Sequence, residues 1–212
     1  HRLLRAMSAW TTAGLLRGEA DPCGSGAVTL RCGFYNIGWD PKNTQRGFRE
    51  LSTEVRALVV RHLVPVLSLC EVFGIDDGLN EQHQVGEGLA KELNQSHEWG
   101  GTWAYAACDH YITLWRTDLR FRCEEATSFD SRVPTRSWQK GQYLRFVHDE
   151  WPQPVHLVNH HSPSSRSRGT LTLEMRNTIA KTSWELVRAS DGAAQPVAVF
   201  GGDFNCTAVH WN

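Results

Sequence analysis

The sequence predicts an α/β sandwich in one domain. Strand-like segments alternate with segments whose apolar residues recur at helical spacing, and several strand-like segments follow one another in the middle of the chain. No repeat and no long linker divides the 212 residues, which is enough chain for one large domain. We expect residues 27–212 to form this domain and residues 1–26 to be a partly ordered N-terminal extension.

The elements of the first half are predicted from apolar spacing and from residues that end helices. Phe48, Leu51 and Val55 recur at helical spacing, and Pro65 follows where a helix has to end. The predicted elements are, in order, a strand at 27–36, a helix at 45–63, a strand at 66–72 and a more polar helix at 78–93.

The second half is predicted to begin with strands. The predicted elements are strands at 102–107, 111–116, 119–124, 143–148 and 155–161, then a helix at 170–189 and a last strand at 197–205. Gly192 is placed to end the helix.

Charge and composition exclude several classes of function. The 22 Lys and Arg residues nearly balance the 23 Asp and Glu residues, for a formal net charge of -1. A chain without a strong positive field is not expected to coat DNA or to grip a membrane through a basic surface. No apolar run approaches the about 20 residues of a membrane-spanning helix.

The six cysteines do not form a metal or redox motif. No Cys-x-x-Cys pair is present, which excludes a zinc ribbon and a thioredoxin-like motif. Several cysteines lie within apolar, strand-like runs, where a free thiol behaves as a small hydrophobic side chain. This favours buried thiols in a reducing, intracellular compartment, with one disulfide as the alternative.

Polar residues end the apolar faces of four predicted strands. Because side chains alternate along a strand, Asn36 ends the face of Phe34, and Glu71 ends the face of Leu67 and Leu69. In the same way, Asn159 and His161 end one late strand, and Asp203 and Asn205 end the other. Four such endings predict a polar rim where the buried faces meet. An enzyme with an α/β sandwich fold would hold a metal at such a rim.

Four segments resemble the motifs of one superfamily, in the order in which that superfamily carries them. They are Tyr35-Asn36-Ile37-Gly38, Leu69-Cys70-Glu71-Val72, Val158-Asn159-His160-His161 and Gly202-Asp203-Phe204-Asn205. Together they resemble the endonuclease/exonuclease/phosphatase superfamily, which has the DNase I-like fold. The resemblance implies a four-layer sandwich, in which two β-sheets pack face to face, helices flank them and the site lies at one edge.

Glu71 is the predicted metal ligand, and Asn36 would either supply a neutral oxygen close to the same ion or hold Glu71 in place. A hard cation such as Mg²⁺ binds carboxylate oxygens and keeps several waters, so one or two protein carboxylates are enough. The expected cofactor is Mg²⁺, with Mn²⁺ as an alternative. The simpler interpretations are an exposed glutamate at a strand end and an asparagine in a turn before Gly38.

The resemblance implies catalytic roles for Asp203, Asn205 and His161. Asp203 would orient and deprotonate the attacking water, while Asn205 and His161 would contact the phosphate. An Asx turn is the simpler interpretation of Asp203. His160 faces the opposite side of its strand and is expected to be structural.

Three further residues are candidate substrate contacts. Asn159 shares the face of His161, and Tyr111 is the counterpart of a mid-chain tyrosine that the superfamily places near the phosphate. Arg176 falls within the apolar arc of its predicted helix, so it either pairs with a carboxylate or braces a loop that contacts phosphate.

The expected function is a Mg²⁺-dependent phosphodiesterase of nuclease type that acts on a phosphate ester, with nucleic acid as one candidate substrate. The alternatives are a phosphatase, a phosphodiesterase of lipid headgroups and a catalytically silent binding domain. The Ser-Asp-His segment that closes the superfamily domain is absent from this sequence. We therefore expect the domain to be incomplete at its C-terminus.

Overall fold

The computed structural model describes residues 30–39, 47–72, 79–96, 101–130, 140–161, 173–192 and 196–203. The strands are β1 (Cys32–Trp39), β2 (Val66–Val72), β3 (Trp103–Cys108), β4 (Tyr111–Arg116), β5 (Arg122–Asp130), β6 (Lys140–Val147), β7 (Val155–His161) and β8 (Val197–Asp203). The helices are α1 (Phe48–His62), α2 (Leu79–Gln95) and α3 (Leu173–Asp191). Every predicted element is present. The predicted extension, residues 1–26, lies outside the described residues.

The strands form two sheets of four strands each, in the orders β1-β2-β4-β3 and β5-β6-β7-β8. The first sheet pairs β1 with β2 in parallel, and the other neighbours are antiparallel. In the second sheet β7 and β8 are parallel, and the others are antiparallel. The two parallel pairs therefore bring the carboxyl ends of β1, β2, β7 and β8 to positions where polar side chains can meet.

Helices cover the outer face of each sheet, which confirms the predicted four-layer sandwich. Leu51 and Val55 of α1 and Leu89 of α2 share one core with Leu67 and Leu69 of β2. On the second sheet, Val187 of α3 packs with buried residues of β6 and β7. Among the helices that the structure describes, none combines the length and apolar character needed to cross a lipid bilayer.

The layer between the two sheets changes from apolar to polar along the strands. At one end Trp115 packs against Phe146, and Leu144 and Leu157 belong to the same buried cluster. Nearer the other end the inward side chains are Ser68, Thr113, Gln142 and Asn159, all completely buried. The polar end of this layer leads to the candidate site.

The fifth strand is longer and later than predicted. The prediction of 119–124 is wrong in its first residues, because residues 117–120 form a turn in which the Arg120 amide donates to the Thr117 carbonyl. β5 instead runs along β6 as far as the pair Asp130 and Lys140. Residues 124–126 are all exposed, so this edge strand lacks the alternating apolar pattern that would have marked it.

Candidate active site

Two polar contacts join the strand ends of the two sheets. The Asn36 Nδ2 atom donates to Asp203 Oδ2 at 2.8 Å, which links β1 to β8. The His161 Nε2 atom lies 3.1 Å from Glu71 Oε1, which links β7 to β2. The structure thus brings together four of the predicted site residues, and each contact crosses from one sheet to the other.

Glu71 reaches the site through an unusual backbone conformation. Its φ of 57° lies in the left-handed region, which costs about 1–2 kcal/mol for a residue with a side chain. This conformation interrupts the alternation along β2: Leu67 and Leu69 pack beneath the helices, as does Val72, whereas the Glu71 carboxylate meets His161. The prediction that Glu71 shares the face of Leu67 and Leu69 is therefore wrong, although its place at the rim is as expected.

Two oxygens beside Gly38 are suited to a hard cation. Gly38 has a φ of 52°, and its amide donates to Asn36 Oδ1 at 3.0 Å. A Cβ atom at Gly38 would lie 3.7 Å from Glu71 Oε2 and 4.0 Å from Asn36 Oδ1, so both oxygens flank this glycine. Within the described ranges, no group of three or more His, Cys, Asp or Glu side chains could hold a metal. The donor set fits Mg²⁺ bound by one carboxylate, an amide oxygen and waters.

The turn between β3 and β4 supports both sides of the site. The Tyr111 hydroxyl accepts a hydrogen bond from the His161 amide at 3.0 Å and donates to the Lys140 carbonyl at 2.5 Å. The carbonyl of His110 accepts from the Val72 amide at 3.1 Å, directly after Glu71. This turn and the first residue of β4 therefore hold the backbone next to Glu71 and the backbone of His161.

The ring of His110 packs edge-on against His161, with 6.0 Å between ring centroids. Burial, and then the nearby His161, lower the pKa of His110 from 6.5 to about 4. His110 is therefore neutral at pH 7 and adds no positive charge to the site. Nothing in the sequence marked His110 as part of the site, because a lone histidine in a turn is usually solvated.

The predicted substrate contacts of Tyr111 and Asn159 are not supported. Both side chains are completely buried. The Tyr111 hydroxyl already bonds to two backbone groups, and the Asn159 Nδ2 atom donates to the Leu69 carbonyl at 3.2 Å. Of the other predicted residues, Arg176 lies on α3 with its side chain outside the described part, and Asn205 is beyond the described residues.

Gly201 and Gly202 allow β8 to bring Asp203 into place. A Cβ atom at Gly201 would lie 2.3 Å from the ring of Phe34, and one at Gly202 would lie 1.9 Å from the His160 carbonyl oxygen. Neither contact is possible for a side chain, so the two glycines permit the close approach of β8 to β1 and β7. The Gly-Gly pair before Asp203 was visible in the sequence, but its steric role was not.

His160 faces away from the site, as predicted, and packs near Phe129 with 6.4 Å between ring centroids. Burial, followed by the nearby His161 and His110, lowers the pKa of His160 from 6.5 to about 3. Between pH 6.5 and about 3, the His160 side chain is therefore neutral in the folded protein but protonated in the unfolded chain. Stability should consequently fall as the pH drops from 6.5 toward 3.

We expect His160→Gln to reduce this acid sensitivity. Each buried neutral histidine makes the free energy of unfolding decrease by about 1.4 kcal/mol per pH unit in this range. Between pH 6.5 and 5, wild type should therefore lose about 2 kcal/mol more than the variant, measured by urea unfolding. Equal losses would contradict the assignment of His160 as a buried neutral group.

Comparisons with known proteins support the fold through structure alone. No protein-family profile matches the chain, and no curated protein sequence matches it. Among solved structures, an endonuclease/exonuclease/phosphatase family protein from Bacteroides thetaiotaomicron matches with a TM-score of 0.55 and 15% identity, over 85% of this chain and 62% of that one. TDP2 from Caenorhabditis elegans matches with a TM-score of 0.53 and 16% identity, over 86% of this chain and 49% of that one.

A third match is D. rerio TDP2 complexed with a single-strand DNA product, with a TM-score of 0.51 and 12% identity, over 82% of this chain and 60% of that one. The chain thus spans between about half and just under two thirds of the length of these three structures. At such identities the matches establish architecture. The chain has the two-sheet, DNase I-like fold of the endonuclease/exonuclease/phosphatase superfamily.

Proposed function

We propose that the protein is a Mg²⁺-dependent phosphoesterase, and specifically a phosphodiesterase of nuclease type. One observation carries the proposal: the contacts Asn36–Asp203 and Glu71–His161 gather two carboxylates, an amide and an imidazole at one edge of the two sheets. These are the groups that metal-assisted hydrolysis of a phosphate ester requires. A sandwich stabilised only by its core has no need of them at this edge.

Glu71 and Asn36 would hold the metal through the two oxygens that flank Gly38. When bound, Mg²⁺ supplies a Lewis acid that polarises a phosphate oxygen and stabilises the charge on the leaving group. Glu71 is about one-third exposed at its side chain, with a relative accessibility of 30%, so solvent and a cation can reach it. Its second oxygen faces His161, which orients the carboxylate.

Asp203 would act as the general base. The amide of Asn36 donates to one of its oxygens, which orients the carboxylate, and a carboxylate at this position would take a proton from the attacking water. The Tyr111 hydroxyl holds the backbone amide of His161, and His161 Nε2, which contacts Glu71 in this structure, would donate to a phosphate oxygen in place of that contact when substrate is bound. The resemblance assigns a second such contact to Asn205.

A phosphodiester is the favoured substrate class. The DNA-bound D. rerio TDP2 shares this fold, which supports a polynucleotide as a candidate substrate. The net charge of -1 provides no general attraction for nucleic acid. Binding would therefore depend on local contacts at the site.

The test is the Mg²⁺ dependence of Glu71→Gln. Removing the charged ligand should weaken Mg²⁺ binding by about tenfold or more in calorimetry, and hydrolysis of a generic phosphodiester should need correspondingly more Mg²⁺ to reach its plateau. The matched control is Glu185→Gln, because Glu185 lies on the exposed side of α3, where its carboxylate is 3.9 Å from the Lys181 ammonium group.

An unchanged Mg²⁺ titration for Glu71→Gln would mean that Glu71 is an ordinary residue at a strand end. If wild type binds Mg²⁺ but hydrolyses none of the phosphate esters tested, the domain is catalytically silent and the proposed activity is wrong.

A further inference from the structure

We infer that Asn159 is a positioning residue that aligns the two sheets so that Glu71 and His161 meet. The inference depends on the proposed function only in naming these two residues as the pair that has to be aligned. The Nδ2 atom of Asn159 donates to the Leu69 carbonyl at 3.2 Å, from one sheet to the other. Asn159 lies two residues before His161, and Leu69 lies two residues before Glu71.

This spacing places the bond directly beneath the contact that it would control. Two residues along a strand cover about 6.5 Å, so the Asn159–Leu69 bond and the Glu71–His161 contact are successive links between β7 and β2. A slip of β7 along β2 would break both links together. The Asn159–Leu69 hydrogen bond therefore limits how far Glu71 and His161 can move relative to each other.

A second buried amide anchors the same part of the layer. Gln142 is the register partner of Asn159 on β6. Its Oε1 atom accepts from the Thr113 hydroxyl at 2.7 Å, and its Nε2 atom donates to the Ala106 carbonyl at 3.1 Å. Thr113 is also hydrogen-bonded to Ser68, at 2.8 Å. Two neighbouring amides of one sheet thus bond to three strands of the other.

Hydrogen bonds can set this alignment more sharply than the apolar part of the layer. Burial of Leu144 and Leu157 favours contact between the sheets, but it is non-directional. A hydrogen bond specifies distance and angle, and the choice of one register over others is the best-attested structural use of buried polar groups. The amides lie at the end of the layer that leads to the site, where register matters most.

Stability alone does not explain Asn159. Its Oδ1 atom is buried and has no hydrogen-bond partner among the residues that the structure describes. The desolvation cost of an unpaired buried acceptor is comparable to, or larger than, the net gain from one hydrogen bond. A leucine of similar size at this position should therefore leave the protein as stable as wild type or more stable, while removing the alignment.

The test is a double-mutant cycle between Glu71→Ala and His161→Ala, carried out by urea unfolding with and without Asn159→Leu. With Asn159 present, the coupling should change the unfolding equilibrium constant by a factor of about three or more. In the Asn159→Leu variant, the coupling between Glu71 and His161 should change the unfolding equilibrium constant by a factor of one within error. Asn159→Leu alone should be at least as stable as wild type. If Asn159 only stabilised the fold, its substitution would change the free energy of unfolding of every protein in the cycle by the same amount and would leave the coupling unchanged.

Tyr143→Phe is the matched control. It removes a buried hydrogen bond of the same sheet, 2.8 Å from the Tyr143 hydroxyl to His156 Nδ1, on the face covered by α3. This variant should lose stability and keep the full coupling between Glu71 and His161.

Three outcomes would overturn the inference. They are full coupling in Asn159→Leu, no coupling in wild type, and failure of both Asn159→Leu and Asn159→Ala to fold, since that failure would make the amide a requirement of the fold itself. The cycle measures a contact and not turnover. A protein without phosphoesterase activity could therefore still show the alignment, and an active protein could still refute it.

Discussion

Asp203→Asn is expected to lower hydrolysis of a phosphodiester by about 10²–10⁴-fold at saturating Mg²⁺, the usual cost of losing a general base. The substitution preserves the size of the side chain, and its amide oxygen can still accept the hydrogen bond from Asn36. It removes the basicity needed to take a proton from water. The loss should therefore appear in kcat, with little change in the unfolding midpoint.

Asp149→Asn is the matched control. Asp149 is an exposed carboxylate that pairs with Arg122 at 2.8 Å, and it follows the end of β6 that is distant from the site. Its turnover should equal that of wild type. Turnover of Asp203→Asn within threefold of wild type would mean that another group takes the proton, and Asp203 would then serve only to bind Asn36.

Gly202→Ala should have the largest effect on stability, a loss of at least about 3 kcal/mol in the free energy of unfolding. Gly202 has a φ of 129°, and an added Cβ atom would lie 1.9 Å from the His160 carbonyl oxygen. Because that oxygen belongs to the neighbouring backbone, no side-chain rotation relieves the clash. β8 would have to move away from β7, and Asp203 would move with it.

Gly192→Ala separates this clash from backbone strain. Gly192 also has a positive φ, of 63°, but none of the residues that the structure describes lies within 4 Å of an added Cβ atom. Its variant should lose only about 1–2 kcal/mol, the cost of the left-handed conformation. Equal unfolding midpoints for the two variants would contradict the close approach of β8 to β7.

Much of the fold was predictable because its strands and helices differ in apolar spacing. The predicted bounds of β2, β4 and β7 are those of the structure, since these strands are buried along nearly their whole length. β5 was displaced because an exposed edge strand carries polar residues on both faces. The pairing of strands into two sheets came from the resemblance, since apolar spacing does not specify strand order.

Part of the candidate site was also predictable. Alternation along β1, β7 and β8 placed Asn36, His161 and Asp203 on inward faces, and the structure confirms these orientations. Glu71 departs from the rule because its left-handed backbone turns the side chain to the other face. Asn159 was assigned to substrate because it shares the face of His161, whereas its side chain is buried and donates to the Leu69 carbonyl of the opposite sheet.

The sequence by itself determined which polar residues lie near the ends of the strands and which chemical groups they carry, and its resemblance to a superfamily indicated the reaction that we propose for them. Only the tertiary structure decided which of them touch. Asn36 and Asp203 are separated by 167 positions, and their 2.8 Å contact exists because two sheets pack face to face in one register. The physical reason is that periodicity orients a side chain within its own strand, while the distance between strands of different sheets depends on how the whole buried layer fills.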